Sequence, residues 1–307
     1  MSLKDRLANI LSPMEIKMLY KSFDIVGDIA ILRVPEALKE KSEIIADAVM
    51  QVHKNVRTVL CQVSPISGEL RLRELRWLRG EKRTETTHRE HGCLFKVDLN
   101  KCYFSPRLSY ERMRIAKQVK PGEVVVNMFA GVGCFSILIA KFSKAKRVYS
   151  IDINPEAVRY MRINVALNKV EDVVEPIEGD SKEVIMSRLR NVADRVLMPL
   201  PEKAYEYLEY ALMALKPSGG IIHYYDFEHA GRSEDPVKKV VDKVSRKLLN
   251  LHVSFDVISS RIVRTVGPRW YQVVLDIFIY NFFKEYYNQE GLHPYEETSN
   301  GHFSLPN

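Results

Sequence analysis

Residues 124–140 (VVVNMFAGVGCFSILIA) constrain the fold of this chain more than any other stretch. A short apolar run, a turn of small residues and a second apolar run in helical phase read as a buried strand, a tight loop and a helix. Gly131 and Gly133 let the loop backbone pass close to a ligand with no Cβ in the way. A second apolar strand, residues 148–152, follows and ends in Asp152. An acid there can accept hydrogen bonds from both hydroxyls of a ribose. Strand, glycine loop, helix, strand and acid is the order in which an open parallel sheet grips a nucleoside. The bland alternative is a glycine loop that only turns the chain.

The loop also narrows the nucleoside. A dinucleotide site uses G-x-G-x-x-G around a pyrophosphate, and here Ser136 stands at the third glycine position. There is no P-loop lysine. The pattern favours a cofactor with a ribose but without phosphates. S-adenosylmethionine fits, and the loop is similar to the first motif of class I methyltransferases. Open α/β sheets place ligands at the carboxyl ends of their strands. The cofactor-binding candidates are therefore Phe129, Ala130, Gly131 and Gly133 in the loop, Asp152 and Ile153 after the second strand, Asp180 and Ser181 after the third, and Pro199 after the fourth. Asp180 is equally well placed to cap the helix that follows it, and both roles can hold at once. Pro199 and Pro201 cannot donate from their backbone. Their loop is either a rigid wall offering carbonyl acceptors to a flat base or a plain helix start.

Apolar residues make up 46% of the chain, enough for a sizeable core. A net charge of +7 and a pI near 9.1 suit a polyanionic partner, and equally an ordinary basic surface. Cys61, Cys93, Cys102 and Cys134 show no C-x-x-C spacing, so neither a metal site nor a disulfide framework is expected. Without a signal peptide or a bilayer-length apolar run, the expectation is a soluble, cytoplasmic protein.

The chain divides in pattern. Residues 1–99 read as a small α+β domain, expected to bind RNA and contribute to the active site. It has a helix start at Ser12-Pro13, a strand ending at Arg33, a helix over 42–53 and strands over 57–63, 69–78 and 94–99. Residues 100–280 alternate strand and helix, as in a doubly wound, mostly parallel α/β sheet. Late strands over 251–258 and 271–279 close this domain. Residues 281–307 mix aromatics with Gly, Pro and Asn and read as a tail.

A second dense cluster is residues 103–112 (YFSPRLSYER). On spacing alone, Arg107 and Glu111 lie four apart, and the bland reading is an exposed ion pair on one helix face. Together with Asn127–Gly133, Asp152–Pro155 and Ile222–Tyr225, however, the cluster resembles the archaeal and eukaryal tRNA (guanine-37 N1)-methyltransferases. The resemblance covers residues 24–279 and implies a class I methyltransferase fold, S-adenosylmethionine as cofactor and the anticodon loop of tRNA as partner. It implies that Tyr103, Arg107, Glu111 and Arg112 surround the target guanine, joined by an arginine from the first domain. Arg71 matches best for that arginine, with Arg73 as competitor.

Guanine N1 carries a proton at neutral pH, so a base must remove it as the methyl arrives. The resemblance implies Glu111, an enclosed carboxylate of the kind that can be tuned to the working pH. Arg107 or Arg71 would stabilise the charge that builds on O6.

Two departures stand out. Pro199 replaces the asparagine that the family places against the target base, and a Pro-x-Pro loop resembles the subgroup that also methylates 4-demethylwyosine. An extra N-terminal domain that grips the tRNA elbow is not expected here. The rival readings are the wybutosine-pathway enzyme that transfers an aminocarboxypropyl group, and a non-catalytic RNA-binding module.

Overall fold

The computed structural model describes residues 3–280 apart from Asn9 and Lys21. The expected tail, 281–307, lies outside the described residues. The chain begins with α1 (Leu3–Leu7), α2 (Pro13–Met18), β1 (Asp24–Val26), β2 (Ile29–Leu32), α3 (Ser42–Val52), β3 (Thr58–Gln62) and β4 (Leu75–Gly80). Ser12 caps α2 reciprocally: its hydroxyl accepts from Glu15 N at 3.3 Å, and the Glu15 carboxylate accepts from Ser12 N at 2.8 Å. The strands form a sheet in the order β1-β2-β3-β4, in which only β2 and β3 are parallel. The helix α3 makes their crossover.

The fourth strand starts at Leu75 rather than near residue 69, as the alternation had suggested. Gly68 (φ 73°) and Arg71 (φ 53°) turn the backbone through left-handed conformations, and Ser67 pairs with Leu72 in an isolated bridge. Residues 69–71 are thereby freed to form a projecting loop. A hairpin of β5 (Glu85–Glu90) and β6 (Cys93–Asp98) follows. No strand was expected over 85–90, where the polar sequence hides the period. The turn itself is legible, since His91 and Gly92 take φ values of 47° and 80°, as a two-residue hairpin requires.

The remaining elements are α4 (Ser109–Gln118), β7 (Val124–Asn127), α5 (Cys134–Phe142), β8 (Arg147–Asp152), α6 (Pro155–Leu167), β9 (Val174–Glu178), α7 (Ser181–Arg188), β10 (Arg195–Met198), α8 (Pro201–Ala214), β11 (Gly220–His229), α9 (Pro236–Asn250), β12 (Phe255–Gly267) and β13 (Trp270–Ile279). They build a seven-stranded sheet in the order β12-β13-β11-β10-β7-β8-β9. The five strands from β11 to β9 are parallel, and β13 and β12 add antiparallel at the edge. This is the doubly wound class I methyltransferase sheet. Its order reverses between β7 and β10, which opens a crevice at their carboxyl ends. The edge strand β12 runs to Gly267, well beyond residue 258. Its later residues are polar or half exposed, so they carry no buried-strand signal.

Alternate residues of β7 face opposite cores. Val125 packs with α5 and α6, and Val126 packs with α7 and α8. The first of these cores also takes in Val26 and Phe95, so it is continuous with the small sheet and the hairpin. Among the described residues, no helix is long and apolar enough to cross a membrane.

Asn164 on α6 and Asn168 at its C-cap fasten the hairpin to the large sheet. Asn164 accepts from Lys96 N at 2.7 Å and donates to Lys96 O and Val132 O, both at 3.0 Å. One turn later, Asn168 accepts from Leu94 N at 2.9 Å and donates to Leu94 O at 2.7 Å. The amide side chains thus stand in for a neighbouring strand along β6. Asn164→Ala should leave these buried backbone groups without partners and lower the unfolding free energy by about 1–3 kcal/mol. Urea denaturation with an unchanged slope is the measurement; a loss under about 0.5 kcal/mol would show that the clip is dispensable.

Candidate active site

A cavity opens at the carboxyl ends of β7, β8, β9 and β10, with the 69–71 loop of the small sheet across it. Gly133 caps α5 at φ 91°, and a Cβ there would sit 2.9 Å from Met161 Cγ. Its role is to let α5 pack on α6. Gly131 (φ 58°) lines the cavity, and a Cβ on it would meet nothing within 4 Å. Ala130 donates to Ile151 O at 2.8 Å, which pins the loop to β8 without facing the cavity.

The carboxylate of Asp152 accepts from Gly131 N at 2.6 Å and from Asn154 N at 3.0 Å. Burial pushes its carboxyl above the usual range, against the pull of those two bonds. Each oxygen keeps capacity for a further donor. Asp180 caps α7 through Lys182 N at 2.8 Å and accepts from the Tyr207 hydroxyl at 3.0 Å, so it both caps the helix and lines the cavity. The Tyr207 ring meets Phe129 edge-on at 5.3 Å. Ile153 and Pro199 complete the wall. Ser181 is 3% exposed, and its Oγ is buried with no hydrogen-bond partner. An orphaned hydroxyl, an open glycine face and a carboxylate with spare acceptor sites fit a ligand carrying a ribose and a base.

At the far wall, Arg71 lies 4.3 Å over the Tyr103 ring and 6.0 Å from that of Phe227, and it pairs with Glu202 at 3.1 Å. Its Nε is buried without a partner. Arg73 instead donates to Gln62 and faces a separate groove with Arg33 and Asp24. Arg71 is thus the arginine from the small sheet that reaches the cavity. Although burial pushes the Tyr103 phenol up, the charges of Arg71 and Arg264 hold it below its ordinary value. Arg264 donates to the Tyr103 hydroxyl at 3.3 Å and to Ser105 Oγ at 2.9 Å.

Glu111 is 1% exposed, on the first turn of α4. It accepts from the Tyr225 hydroxyl at 2.7 Å, from Arg114 at 2.8 and 3.0 Å, and from Arg261. Tyr225 and Phe227 are two apart on β11 and share a face, so Glu111 adjoins the Arg71–Tyr103 wall without lining the cavity.

Two of the expected residues turn elsewhere. Arg107 sits in a short 3-10 helix, half exposed, and pairs with Asp24 at 2.7 Å rather than with Glu111. The 3-10 geometry breaks the helical spacing on which the i,i+4 expectation rested. Arg112 is buried, paired with Glu90 and donating to Ser105 O at 2.6 Å. It braces the segment that carries Tyr103.

Behind Glu111 runs a buried polar chain that had not been anticipated. Arg114 bridges to Asp276 at 2.5 Å, Asp276 to His223 Nδ1 at 2.6 Å, His223 Nε2 to Arg195 at 2.7 Å, and Arg195 to Glu123 at 2.9 Å. Arginine only donates, so His223 accepts on Nε2 and donates from Nδ1. Burial lowers its pKa and keeps it neutral. Against the pull of burial, the bonds from His223 and Arg114 hold the Asp276 carboxyl well below its usual range.

Arg261 and Arg264 were missed as well. Three apart, they would face opposite sides of a regular strand, but a bulge between Ile262 and Arg264 turns both inward. Only Arg114, three residues after Glu111 on one helix, left a local trace in the sequence. Asp276→Asn should cost about 1–3 kcal/mol, because it takes one of the two buried carboxylates from the Arg114 guanidinium and leaves Glu111 as its remaining counter-charge. Since the folded carboxyl titrates below its unfolded value, that contribution is complete above about pH 4 and fades on further acidification. Denaturant titrations at neutral and acid pH would read this, and a pH-independent difference would refute it.

Two family models match this chain. The family model for the TYW2 N-terminal domain matches residues 3–84, and that for the TRM5/TYW2 methyltransferase domain matches residues 86–254. Arg261, Arg264 and Asp276 lie beyond both matches. The tRNA (guanine(37)-N(1))-methyltransferase Trm5b of Pyrococcus abyssi is 46% identical over 265 residues, spanning 86% of this chain and 77% of that protein. The tRNA 4-demethylwyosine(37)-methyltransferase Taw21 of Saccharolobus solfataricus is 41% identical over 260 residues, spanning 84% of this chain and 94% of that protein. The crystal structure of Methanocaldococcus jannaschii Trm5 in complex with adenosine matches with a TM-score of 0.71 at 36% identity, covering 91% of this chain and 79% of that one. By the extent of these matches, this chain belongs to the TRM5/TYW2 methyltransferase family.

Proposed function

We propose that this protein transfers the methyl group of S-adenosylmethionine to N1 of guanine 37 in tRNA, the base 3′ of the anticodon, with Glu111 as general base. The observation that carries the reading is the Glu111 carboxylate, buried yet held in place by Arg114 and Tyr225 beside the wall formed by Arg71 and Tyr103. The names of the Pyrococcus and Saccharolobus relatives support tRNA position 37, and the adenosine bound to the Methanocaldococcus enzyme supports the adenosyl cofactor.

In this reading the cofactor, when bound, supplies a methyl group made electrophilic by its sulfonium. Asp152 accepts from the ribose hydroxyls. Asp180, with Phe129, Ile153 and Pro199, encloses the adenine, and Ser181 spends its free hydroxyl on the ligand. Glu111 takes the N1 proton of the purine. Arg71, whose Nε lacks a partner, stabilises the charge that develops on O6. Holding base and ligand in fixed relation supplies much of the acceleration. Arg107, on the surface, serves the RNA rather than the reacting atoms. Pro199 presents no side-chain amide to the cavity. Together with the Taw21 relative, this favours 4-demethylwyosine as a second substrate at the same position.

Glu111→Gln should lower the single-turnover rate by about two to four powers of ten and leave cofactor affinity intact. The assay is labelled cofactor with unmodified tRNA bearing G or A at position 37, followed by nucleoside mass spectrometry. Incorporation on G37 alone, with a gain of about 14 Da, supports the reading, whereas a gain of about 101 Da on a parallel tRNA carrying 4-demethylwyosine at position 37 would mark aminocarboxypropyl transfer. Cofactor binding with no product on either tRNA would leave an RNA-binding module.

Ser181→Ala is a cleaner probe of the cofactor seat than any change at Asp152, which also holds the loop. It should weaken S-adenosylhomocysteine binding about 3- to 10-fold in calorimetry, the worth of one hydrogen bond. Stability should not fall, since no contact within the protein is lost. Unchanged affinity would remove Ser181 from the site.

A further inference from the structure

Every acceptor position of the Glu111 carboxylate is taken. Oε1 accepts from Tyr225 at 2.7 Å and from Arg114 Nη2 at 2.8 Å. Oε2 accepts from Arg114 Nε at 3.0 Å and from Arg261 Nη2. A carboxylate offers about four lone-pair sites. The N1–H of a purine therefore has nowhere to dock until one donor leaves.

The donors differ in how firmly they are held. Tyr225 is 1% exposed on β11, inside the sheet. Arg114 is clamped by Asp276 at 2.5 and 3.0 Å, and Asp276 is itself held by His223 and by Gln118 at 3.1 Å. Arg261 reaches in from the edge strand β12, and its side chain is 31% exposed. Its Nε has no partner. Its guanidinium also lies 5.4 Å from the ring of Tyr110, an exposed aromatic face on which a displaced cation can rest. An arginine that stayed on Oε2 would hold the carboxylate charged and oppose the very proton transfer that the reaction needs.

We propose that Arg261 is the exchangeable partner of Glu111: it occupies Oε2 in the free enzyme, and the N1–H of the target purine takes over that hydrogen bond on binding. The proposal rests on Glu111 being the base. The proton then passes from N1 to Oε2. The electron pair left on N1 forms the bond to the methyl carbon as the carbon–sulfur bond breaks with its pair going to sulfur. Carboxylate and sulfonium, opposite in charge, are both neutral afterwards, so charge balances. Arg261 acts here as a positioning residue, through Glu111.

The groups facing Glu111 are Arg114 from its own helix, Tyr225 from β11 and Arg261 from β12, with Tyr110 against Arg261 and Asp276 of β13 behind Arg114. Exchange of one of them has a signature in two pH profiles. The profile of kcat/KM reports groups in the free enzyme, and the single-turnover rate at saturation reports those in the bound complex. Both are to be measured on the full chain with an unmodified G37 tRNA transcript.

Removing the Arg261 charge makes the free carboxylate easier to protonate. Arg261→Met should therefore move the acidic limb of kcat/KM upward by roughly one pH unit or more. It should leave the acidic limb of the single-turnover rate in place, because Arg261 has already gone by then. Arg261→Lys, which keeps the charge, should keep both limbs. A shift of both limbs together in Arg261→Met would mean that the arginine stays on Glu111 during the chemistry, and a shift of neither would mean that it does not govern Glu111; each overturns the proposal. S-adenosylhomocysteine affinity and the circular-dichroism spectrum of Arg261→Met at the assay temperature should match the wild type, and a change in either would make the limb shift a folding effect and overturn it too. Retention of full turnover in Glu111→Gln is the separate failure, that of the base itself.

Discussion

The Arg114 guanidinium, shared between Glu111 and Asp276, is the contact on which the site depends. Two carboxylates buried this deeply persist as ions only beside a cation with fixed geometry, and a guanidinium presents its donors as a rigid fork to both. The bridge ties α4, which carries Glu111, to β13 in the sheet. Through His223 and Arg195 the same chain of bonds reaches Glu123, just ahead of β7. The position of Glu111 is thereby set by the sheet rather than by the helix end on which it sits.

The two halves of the site are built differently. The cofactor half is local: each contributing residue stands at or just after the end of a parallel strand, and Asp152 and Asp180 each accept from a backbone N–H two residues on, at Asn154 and Lys182. The base half is assembled over long distances in the chain. Arg71 comes from a loop of the small sheet, Tyr103 from the connection before α4, Tyr225 from β11 and Arg261 from β12. No single element could supply that enclosure, and the bulge in β12 is what brings two arginines to one face.

Legibility in the sequence followed the same division. The glycine loop, Asp152, Asp180 and the Pro199 loop could be read because strand-end chemistry is encoded within a few residues. The sheet could be read because buried parallel strands are continuous apolar runs. The strand β5 and the far half of β12 escaped because polar edge and hairpin strands carry no burial signal. With β12 went Arg261 and Arg264. Arg107 misled because a helical spacing was assumed across residues that form a 3-10 turn, where side chains four apart do not align.

By itself, the order of residues pointed to a doubly wound sheet and an acid at the end of its second parallel strand, through short-range periodicity and turn chemistry, whereas the carboxylate at position 111 was singled out by the family resemblance. The tertiary structure alone decided which arginine enters the cavity, which one braces Glu90, and that Glu111 is saturated with donors. Those outcomes depend on side chains distant in sequence competing for the same buried acceptors, and that competition is resolved only when the sheets pack.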